Sequence, residues 1–216
     1  MIHITEKEIA KKIASKLLEI KAIKLSPHKP FTWASGWKSP IYCDNRLSLS
    51  YPELRKFITE QLTFIIQKHI PDVEAISGVA TAGISQGALV SDKLELPYSY
   101  VRSSAKKHGM TNKIEGVVKE GQKIVLVEDL ISTAGSAIDA AIALREVGAQ
   151  PLAIASIFTY GFPIAKSNLE QANITLLSLC DYTTLIEVAK EENKIDSDQI
   201  ENLSSWKEDP STWLKK

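Results

Sequence analysis

The stretch that decides the fold runs from Lys123 to Ser136 and reads KIVLVEDLISTAGS. An apolar run leads into two adjacent acids, Glu128 and Asp129, and then into the small residues 132–135. This order predicts a strand that ends before the acids, a polar turn, and a helix that starts after the small residues. The free N–H groups of a helix start suit a phosphate, whereas paired carboxylates suit vicinal hydroxyls or a divalent metal. The stretch therefore favours a sugar phosphate as the ligand.

The composition is that of an ordinary globular enzyme: 216 residues, 44% of them hydrophobic and 24% charged. With 26 basic and 26 acidic residues the net charge is zero, which argues against a nucleic-acid partner. No apolar stretch approaches the roughly 20 residues of a membrane span. The N-terminus lacks the apolar core of a signal peptide, so we expect a cytoplasmic protein without a membrane partner. Cys43 and Cys180 lie too far apart in sequence to indicate a zinc site or a disulfide framework.

Helical and strand patterns alternate along most of the chain, which predicts a twisted parallel sheet flanked by helices. Thr5 and Glu8 have the spacing of a capping box at the first helix. The predicted helices cover 5–24, a segment that starts at Ser50, then Gly83–Leu94, Gly135–Val147, 163–172 and 181–191. The predicted strands are Glu74–Ser77, Tyr98–Arg102, Lys123–Val127, Pro151–Phe158 and Ile174–Leu177.

Two turns between strand and helix are candidate anion sites. The first is the small-residue turn at 132–136, where Ser132 and Thr133 alternatively only cap the following helix. The second is Gly78–Gly83, whose small residues permit close backbone approach, although such turns are also common for packing reasons. Together the two turns would suit a ligand with two phosphate groups. Motifs of P-loop hydrolases, dinucleotide-binding folds, serine hydrolases and zinc proteases do not occur in the sequence.

The polar segment 103–122 carries Lys106, Lys107 and His108 and lacks a sustained apolar period. A loop of this length in a compact domain is either a solvated basic loop or a functional lid, and both interpretations are open. The tail over 191–216 is acidic and polar, but its tryptophans predict that part of it packs on the rest of the chain.

The residues resemble a known family at this point. Val127–Ser136 is similar to the phosphoribosyl-diphosphate (PRPP) signature of type I phosphoribosyltransferases. Three further segments resemble orotate phosphoribosyltransferases of the branch found in Bacillus-type bacteria: Phe31–Gly36 with Lys38–Tyr42, Arg102–Gly109 and Ile157–Gly161.

The resemblance implies the type I phosphoribosyltransferase fold with a small N-terminal hood. It divides the chain into an N-terminal helix and base-binding hood over 1–50, a PRPP-binding core over 51–190 with a mobile lid at 103–116, and a tail over 191–216. It also implies the reaction of orotate with PRPP to give orotidine 5′-monophosphate and pyrophosphate, a step of pyrimidine (UMP) biosynthesis that uses Mg2+. A homodimer is implied as well, because in this family the lid reaches the neighbouring subunit's site.

The resemblance also assigns roles to residues. The catalytic group comprises Arg102, Lys106 and His108. The PRPP-binding group comprises these three with Glu128, Asp129, Leu130, Ile131, Ser132, Thr133, Ala134, Gly135 and Ser136. The orotate-binding group comprises Ser35, Gly36, Tyr42 and Ser132, with Ser39 as a further backbone donor. Glu128 and Asp129 are also the expected Mg2+ residues, through water.

The chain departs from the family pattern at Ala34, Ala82 and Ser103, where many members carry lysine, so the division of labour among cations is open. We expect no covalent nucleophile, and a packing role for Cys43. Two alternatives remain: a phosphoribosyltransferase for another base, which should lack the segment around Lys38–Tyr42, and a PRPP-sensing regulator, which should carry a DNA-binding domain or a basic face.

Overall fold

The fold was analysed in a computed structural model that describes residues 1–33, 36–103 and 113–213. The strands are β1 (Ile2–Ile4), β2 (Ile23–Leu25), β3 (Phe31–Thr32), β4 (Lys38–Ser39), β5 (Ile41–Cys43), β6 (Ala75–Val79), β7 (Tyr98–Val101), β8 (Ile114–Gly116), β9 (Lys123–Ile131), β10 (Gln150–Thr159) and β11 (Thr175–Asp181). The α-helices are α1 (Lys7–Glu19), α2 (Pro52–His69), α3 (Gly83–Leu94), α4 (Gly135–Glu146), α5 (Pro163–Gln171), α6 (Tyr182–Glu191) and α7 (Ser197–Glu208). A short 3-10 helix covers Asn45–Ser50.

A seven-stranded sheet in the order β1-β11-β10-β9-β6-β7-β8 forms the centre of the molecule. Its strands are parallel except for β8, which runs antiparallel to β7 at one edge. The predicted parallel sheet flanked by helices is therefore confirmed. The sheet is covered on both faces: α1, α2 and α6 pack on one side, represented by Ile13, Ile58 and Leu185, and α4 and α5 on the other, represented by Leu144 and Leu169.

Two small antiparallel hairpins near the N-terminus form the hood. Strand β2 pairs with β5, and β3 pairs with β4. Strands β3, β4 and β5 fall in a segment predicted as a loop, because they are two or three residues long and give no readable alternation. Strand β2 begins inside the predicted helix 5–24, whose end is wrong because α1 ends at Glu19.

Strand β9 is longer than predicted. It continues through Glu128 and Asp129 to Ile131, because β10 runs beside it and pairs Ser156 with Glu128 and Thr159 with Ile131. The prediction of a strand that ends before the acids is therefore wrong. Glu128 and Asp129 lie within the last four residues of β9, at the carboxyl edge of the sheet.

Other boundaries also differ from the predictions. Helix α1 begins after Glu6, which makes no side-chain cap, so the predicted capping box at Thr5 is wrong. The last three residues of the predicted lid form β8, whose Ile114 is buried opposite Val101. Helix α7 in the tail was not predicted as a helix. Among the described residues, no helix combines the length and apolar character that crossing a bilayer requires.

Candidate functional site

The paired acids form the centre of the site. Glu128 is buried and Asp129 is half-buried, and the backbone N–H of Asp129 donates to Glu128 Oε1 at 2.9 Å. Burial raises the pKa of the Glu128 carboxyl, and the neighbouring Asp129 charge raises it further. Burial also raises the pKa of Asp129, although Arg46 acts in the opposite direction. Two desolvated carboxyls side by side favour a ligand that brings hydroxyl donors or positive charge.

The phosphate turn, defined as residues 132–136, connects β9 to α4. Ala134 precedes the helix in a left-handed conformation with φ 66°, and no side chain caps the first turn of α4. The alternative in which Ser132 and Thr133 act as helix caps is therefore wrong in this structure. A helix N-terminus without a side-chain cap suits an anion.

A contact from another element holds the phosphate turn in place. Asn168 of α5 donates from Nδ2 to the Thr133 carbonyl at 2.9 Å. The sequence analysis missed Asn168, and no local signal marks it, because the contact joins residues that are distant in sequence.

The second turn lies between β6 and α3, as predicted. Gly83, the first residue of α3, packs so close to β9 that a Cβ atom there would lie 2.1 Å from the Val127 carbonyl oxygen. The Ala80–Thr81 peptide bond in this turn is cis. Glycine thus allows the N-terminus of α3 to lie directly beside the acid pair.

Arg102 lies between the two turns. Together with Ala80, Ser136 and Lys113, it lines a cavity of about 90 Å3. Its guanidinium Nη1 lies 3.5 Å from Glu115 Oε1, and its backbone N–H donates to the Lys113 carbonyl at 2.8 Å. The base of the predicted lid is thus a two-stranded hairpin that carries Arg102 toward both turns.

A second cavity, of about 280 Å3, lies between the hood and the end of β9. We call it the base cavity. It is lined by Thr32, Trp33, Tyr42, Cys43, Leu130, Ser132 and Tyr160. Aromatic walls with a few polar groups suit a flat heterocycle. Ser132 belongs both to this wall and to the phosphate turn, so the two parts of the site are continuous.

The hood residues differ in their placement. Tyr42 is 42% exposed on β5, and its ring centroid lies 5.7 Å from that of Phe31. Gly36 is exposed with φ 84°. Ser39 is fully buried and donates its hydroxyl hydrogen bond to the Ile41 carbonyl, so its side chain is engaged inside the hood.

The hood also contacts the acid pair. Asn45 Nδ2 donates to the Asp129 carbonyl at 2.8 Å, and Arg46 forms an ion pair with Asp44 nearby. Burial raises the pKa of the Cys43 thiol well above its usual value, so it stays protonated. This agrees with a packing role for Cys43. The sequence analysis assigned no role to Asn45.

Most predicted site residues that the structure describes come together at one edge of the sheet. Arg102 and Ser136 line the smaller cavity, and Tyr42, Leu130 and Ser132 line the base cavity. Glu128 and Asp129 directly precede Leu130 on β9. Ile131 is a buried residue at the end of β9. Ser35, Lys106 and His108 lie outside the described residues. Within the described part of the chain, no three His, Cys, Asp or Glu side chains cluster as a complete metal-ligand set.

Comparisons with known proteins point to one family. The family model of the phosphoribosyl transferase domain matches residues 54–174. The chain is 52% identical over 207 residues to the orotate phosphoribosyltransferase of Porphyromonas gingivalis, covering 96% of this chain and 99% of the relative. It is 55% identical over 206 residues to that of Bacillus cereus, covering 94% and 98%.

Solved structures share the fold. The orotate phosphoribosyltransferase of Aeropyrum pernix superposes with a TM-score of 0.74 at 24% identity, covering 85% of this chain and 99% of that one. The UMP synthase of Leishmania donovani gives a TM-score of 0.77 at 22% identity, covering 93% of this chain and 42% of that chain.

Proposed function

The chain belongs to the orotate phosphoribosyltransferase family, and we propose that it transfers the 5-phosphoribosyl group from PRPP to orotate. The products are orotidine 5′-monophosphate and pyrophosphate. The observation that carries the proposal is the continuity of the site at Ser132. This residue joins the base cavity to the phosphate turn, directly after the two acids of β9.

In the reaction, the bond between ribose C1 and the pyrophosphate oxygen breaks, and a bond from C1 to an orotate ring nitrogen forms. Pyrophosphate leaves with the electron pair, and the nitrogen loses its proton. Positive charge develops on the ribose, so the protein must position and stabilise charge and needs no nucleophile. The protonated Cys43 thiol fits this requirement.

Each part of the site has one task in this scheme. The phosphate turn binds the 5′-phosphate through free N–H groups and hydroxyls. Glu128 and Asp129 accept hydrogen bonds from the ribose hydroxyls, which fixes C1 beside the base cavity. Tyr42 stacks on the pyrimidine ring, while Gly36 and Ser35 bring backbone N–H groups to the orotate carboxylate. Arg102 approaches the leaving pyrophosphate.

Mg2+ is the proposed cofactor. Its preferred surroundings are one or two carboxylates, water and substrate phosphate oxygens, and the acid pair supplies the two carboxylates. Burial raises the pKa of both carboxyls, and a bound cation would favour their ionised forms. When bound with PRPP, the ion would neutralise charge on the pyrophosphate; Glu128 and Asp129 would hold it through water.

We further propose that the lid works across a homodimer. Lys106 and His108 follow the β7 edge that ends beside Arg102, and family resemblance assigns these two residues to the pyrophosphate of the neighbouring site. Mixing a variant that is inactive in the lid with one that is inactive at Glu128 would restore activity only if sites are shared between subunits. The proposed location is the cytoplasm, where charged sugar phosphates such as PRPP are retained, and the proposed pathway is UMP synthesis.

The test is orotate consumption followed by ultraviolet absorbance, with adenine, hypoxanthine and uracil as controls. Loss of orotate that requires both PRPP and Mg2+ would support the proposal. Turnover of another base would replace the substrate. No turnover of any base, with PRPP binding still measured by calorimetry, would favour a PRPP-sensing regulator.

A further inference from the structure

The C-terminal helix α7 packs against the hood through a fully buried tryptophan. The Trp206 ring lies 5.7 Å from that of Trp33 and 5.6 Å from that of Tyr160, both edge-on, measured between centroids. It also lies 5.3 Å from Phe162 and 5.3 Å from Tyr182. Trp206 thus occupies the centre of an aromatic cluster that joins the tail, the sheet edge and the hood.

Three residues on one face of α7 reach the hood segment 27–38. Trp206 Nε1 donates to the Lys38 carbonyl at 3.1 Å, and Asn202 Nδ2 donates to the Pro27 carbonyl at 3.3 Å. Gln199 Nε2 lies 3.0 Å from His28 Nε2. Positions 199, 202 and 206 share a helix face because they are three and four residues apart. The helix therefore holds both ends of the segment that contains the β3–β4 hairpin.

This segment forms part of the base cavity. Thr32 and Trp33 line the cavity, and so does Tyr160, whose ring centroid lies 5.2 Å from that of Trp33. Trp206 touches Trp33 and Tyr160 from behind and is not itself a lining residue. Trp33 and Tyr160 thus form one aromatic wall of the cavity, and any shift of the Trp206 ring behind it would move this wall.

We propose that Trp206 is a positioning residue for the base substrate: through Trp33, Tyr160 and the Lys38 carbonyl, it fixes the aromatic wall of the base cavity that Trp33 and Tyr160 form. The inference rests on the proposed function for the identity of the base, which is orotate. It adds a role for the C-terminal helix. The ring contacts of Trp206 lie at the hood and at Tyr160, so we expect the base half of the site to depend on it more than the PRPP half.

The test is Trp206→Phe, which keeps an aromatic ring and removes the indole N–H. Loss of one buried hydrogen bond and of ring contacts should raise the KM for orotate by about five- to tenfold. The KM for PRPP should stay within about twofold, since Trp206 reaches β9 indirectly, through Tyr160, whose backbone N–H donates to the Ile131 carbonyl. A merely structural role would lower the amount of active protein and leave both KM values unchanged.

Two further variants separate positioning from stability. Ile154→Val removes a methyl group from the fully buried core on the far face of the sheet and is the matched control. It should lower the thermal midpoint by about as much as Trp206→Phe does, and it should change neither the KM for orotate nor the KM for PRPP. Asn202→Ala, at a half-buried position, removes the hydrogen bond to the Pro27 carbonyl and is the second test if Trp206→Phe folds poorly. It should also raise the KM for orotate.

Amide hydrogen exchange supplies a readout that does not depend on the reaction. Protection of residues 31–33 and 36–39 should fall in Trp206→Phe and stay unchanged in Ile154→Val. If wild-type protein fails to consume orotate, the proposed function fails, and loss of protection still tests the positioning role. If wild-type protein is active and Trp206→Phe retains the orotate KM and the protection, the positioning role is overturned and the proposed function stands.

Discussion

Substitution of Gly83 by alanine should damage both the fold and the PRPP site. The added Cβ would lie 2.1 Å from the Val127 carbonyl oxygen and 3.2 Å from the Glu128 Cα. Both neighbours are backbone atoms of a central strand and have no rotamer to change. The N-terminus of α3 would have to move away from β9 by about 1 Å, because interiors are close-packed and absorb little extra volume.

The expected cost is about 3 kcal/mol of unfolding free energy, at the upper end of overpacking effects. For a chain of this size that corresponds to a fall of about 6 to 12 °C in the thermal midpoint. Turnover should fall by about a hundredfold, since displacement of a binding element by 1 Å has effects of that order. Denaturant unfolding gives the stability, and calorimetry with PRPP gives the binding.

Gly135→Ala is the matched control. At Gly135 a Cβ would find only Thr133 Oγ1, at 3.7 Å, which is an ordinary contact. We expect stability within about 0.5 kcal/mol of wild type, but weaker PRPP binding, because the methyl group would project into the phosphate turn. If Gly83→Ala proves as stable as Gly135→Ala and binds PRPP normally, the close approach of α3 to β9 is not what holds the second turn in place.

Three other predictions concern the charges and the base. As the pH rises above the ordinary glutamate pKa of 4.5, wild type should lose stability relative to Glu128→Gln, by at most about 1.4 kcal/mol per pH unit. The reason is that the raised pKa of Glu128 makes the folded state bind a proton that the unfolded chain releases. Urea unfolding in EDTA at pH 6 and pH 8 measures this, and an equal pH response of both proteins would contradict it. Tyr42→Ala should raise the orotate KM by about tenfold through loss of stacking, with PRPP affinity as the internal control; an unchanged orotate KM would remove Tyr42 from the base site. Lys106→Ala should lower kcat far more than it weakens orotate binding, and an unchanged kcat in steady-state assays would refute the lid assignment.

The local patterns in the sequence predicted the features that local physics decides. Apolar runs separated by amphipathic segments gave the parallel sheet, and the small residues after β9 gave the phosphate turn. The start of α3 at Gly83 and of α4 at Gly135 was also predicted correctly, since glycine and small polar residues favour such turns.

The missed features depend on partners that are far away in sequence. The extension of β9 through Glu128 requires β10 alongside it, and a run that turns acidic does not look like a strand on its own. Asn45 donates one hydrogen bond to a backbone carbonyl of β9, and Asn168 donates one to a backbone carbonyl of the phosphate turn. Nothing in the neighbouring sequence of either asparagine indicates these contacts.

Helix α7 was not predicted, although the sequence before it contains a helix-start signal. Asp196 is followed three residues later by Gln199, whose side chain accepts from the Asp196 N–H at 3.1 Å. This is the spacing of a capping box. The polar composition of the tail concealed it, since among residues 199–208 of this helix only Leu203 and Trp206 are fully buried.

The pairing of β1 with β11 has a consequence for how the protein is made. Ile2 lies opposite Leu176 in the sheet, and the Met1 carbonyl accepts from the Leu176 N–H at 2.9 Å. Because the N-terminus is synthesised first, β1 has no strand to pair with until most of the chain, through β11, has been made. The sheet is therefore completed at this edge late in synthesis, when β11 becomes available to both β10 and β1.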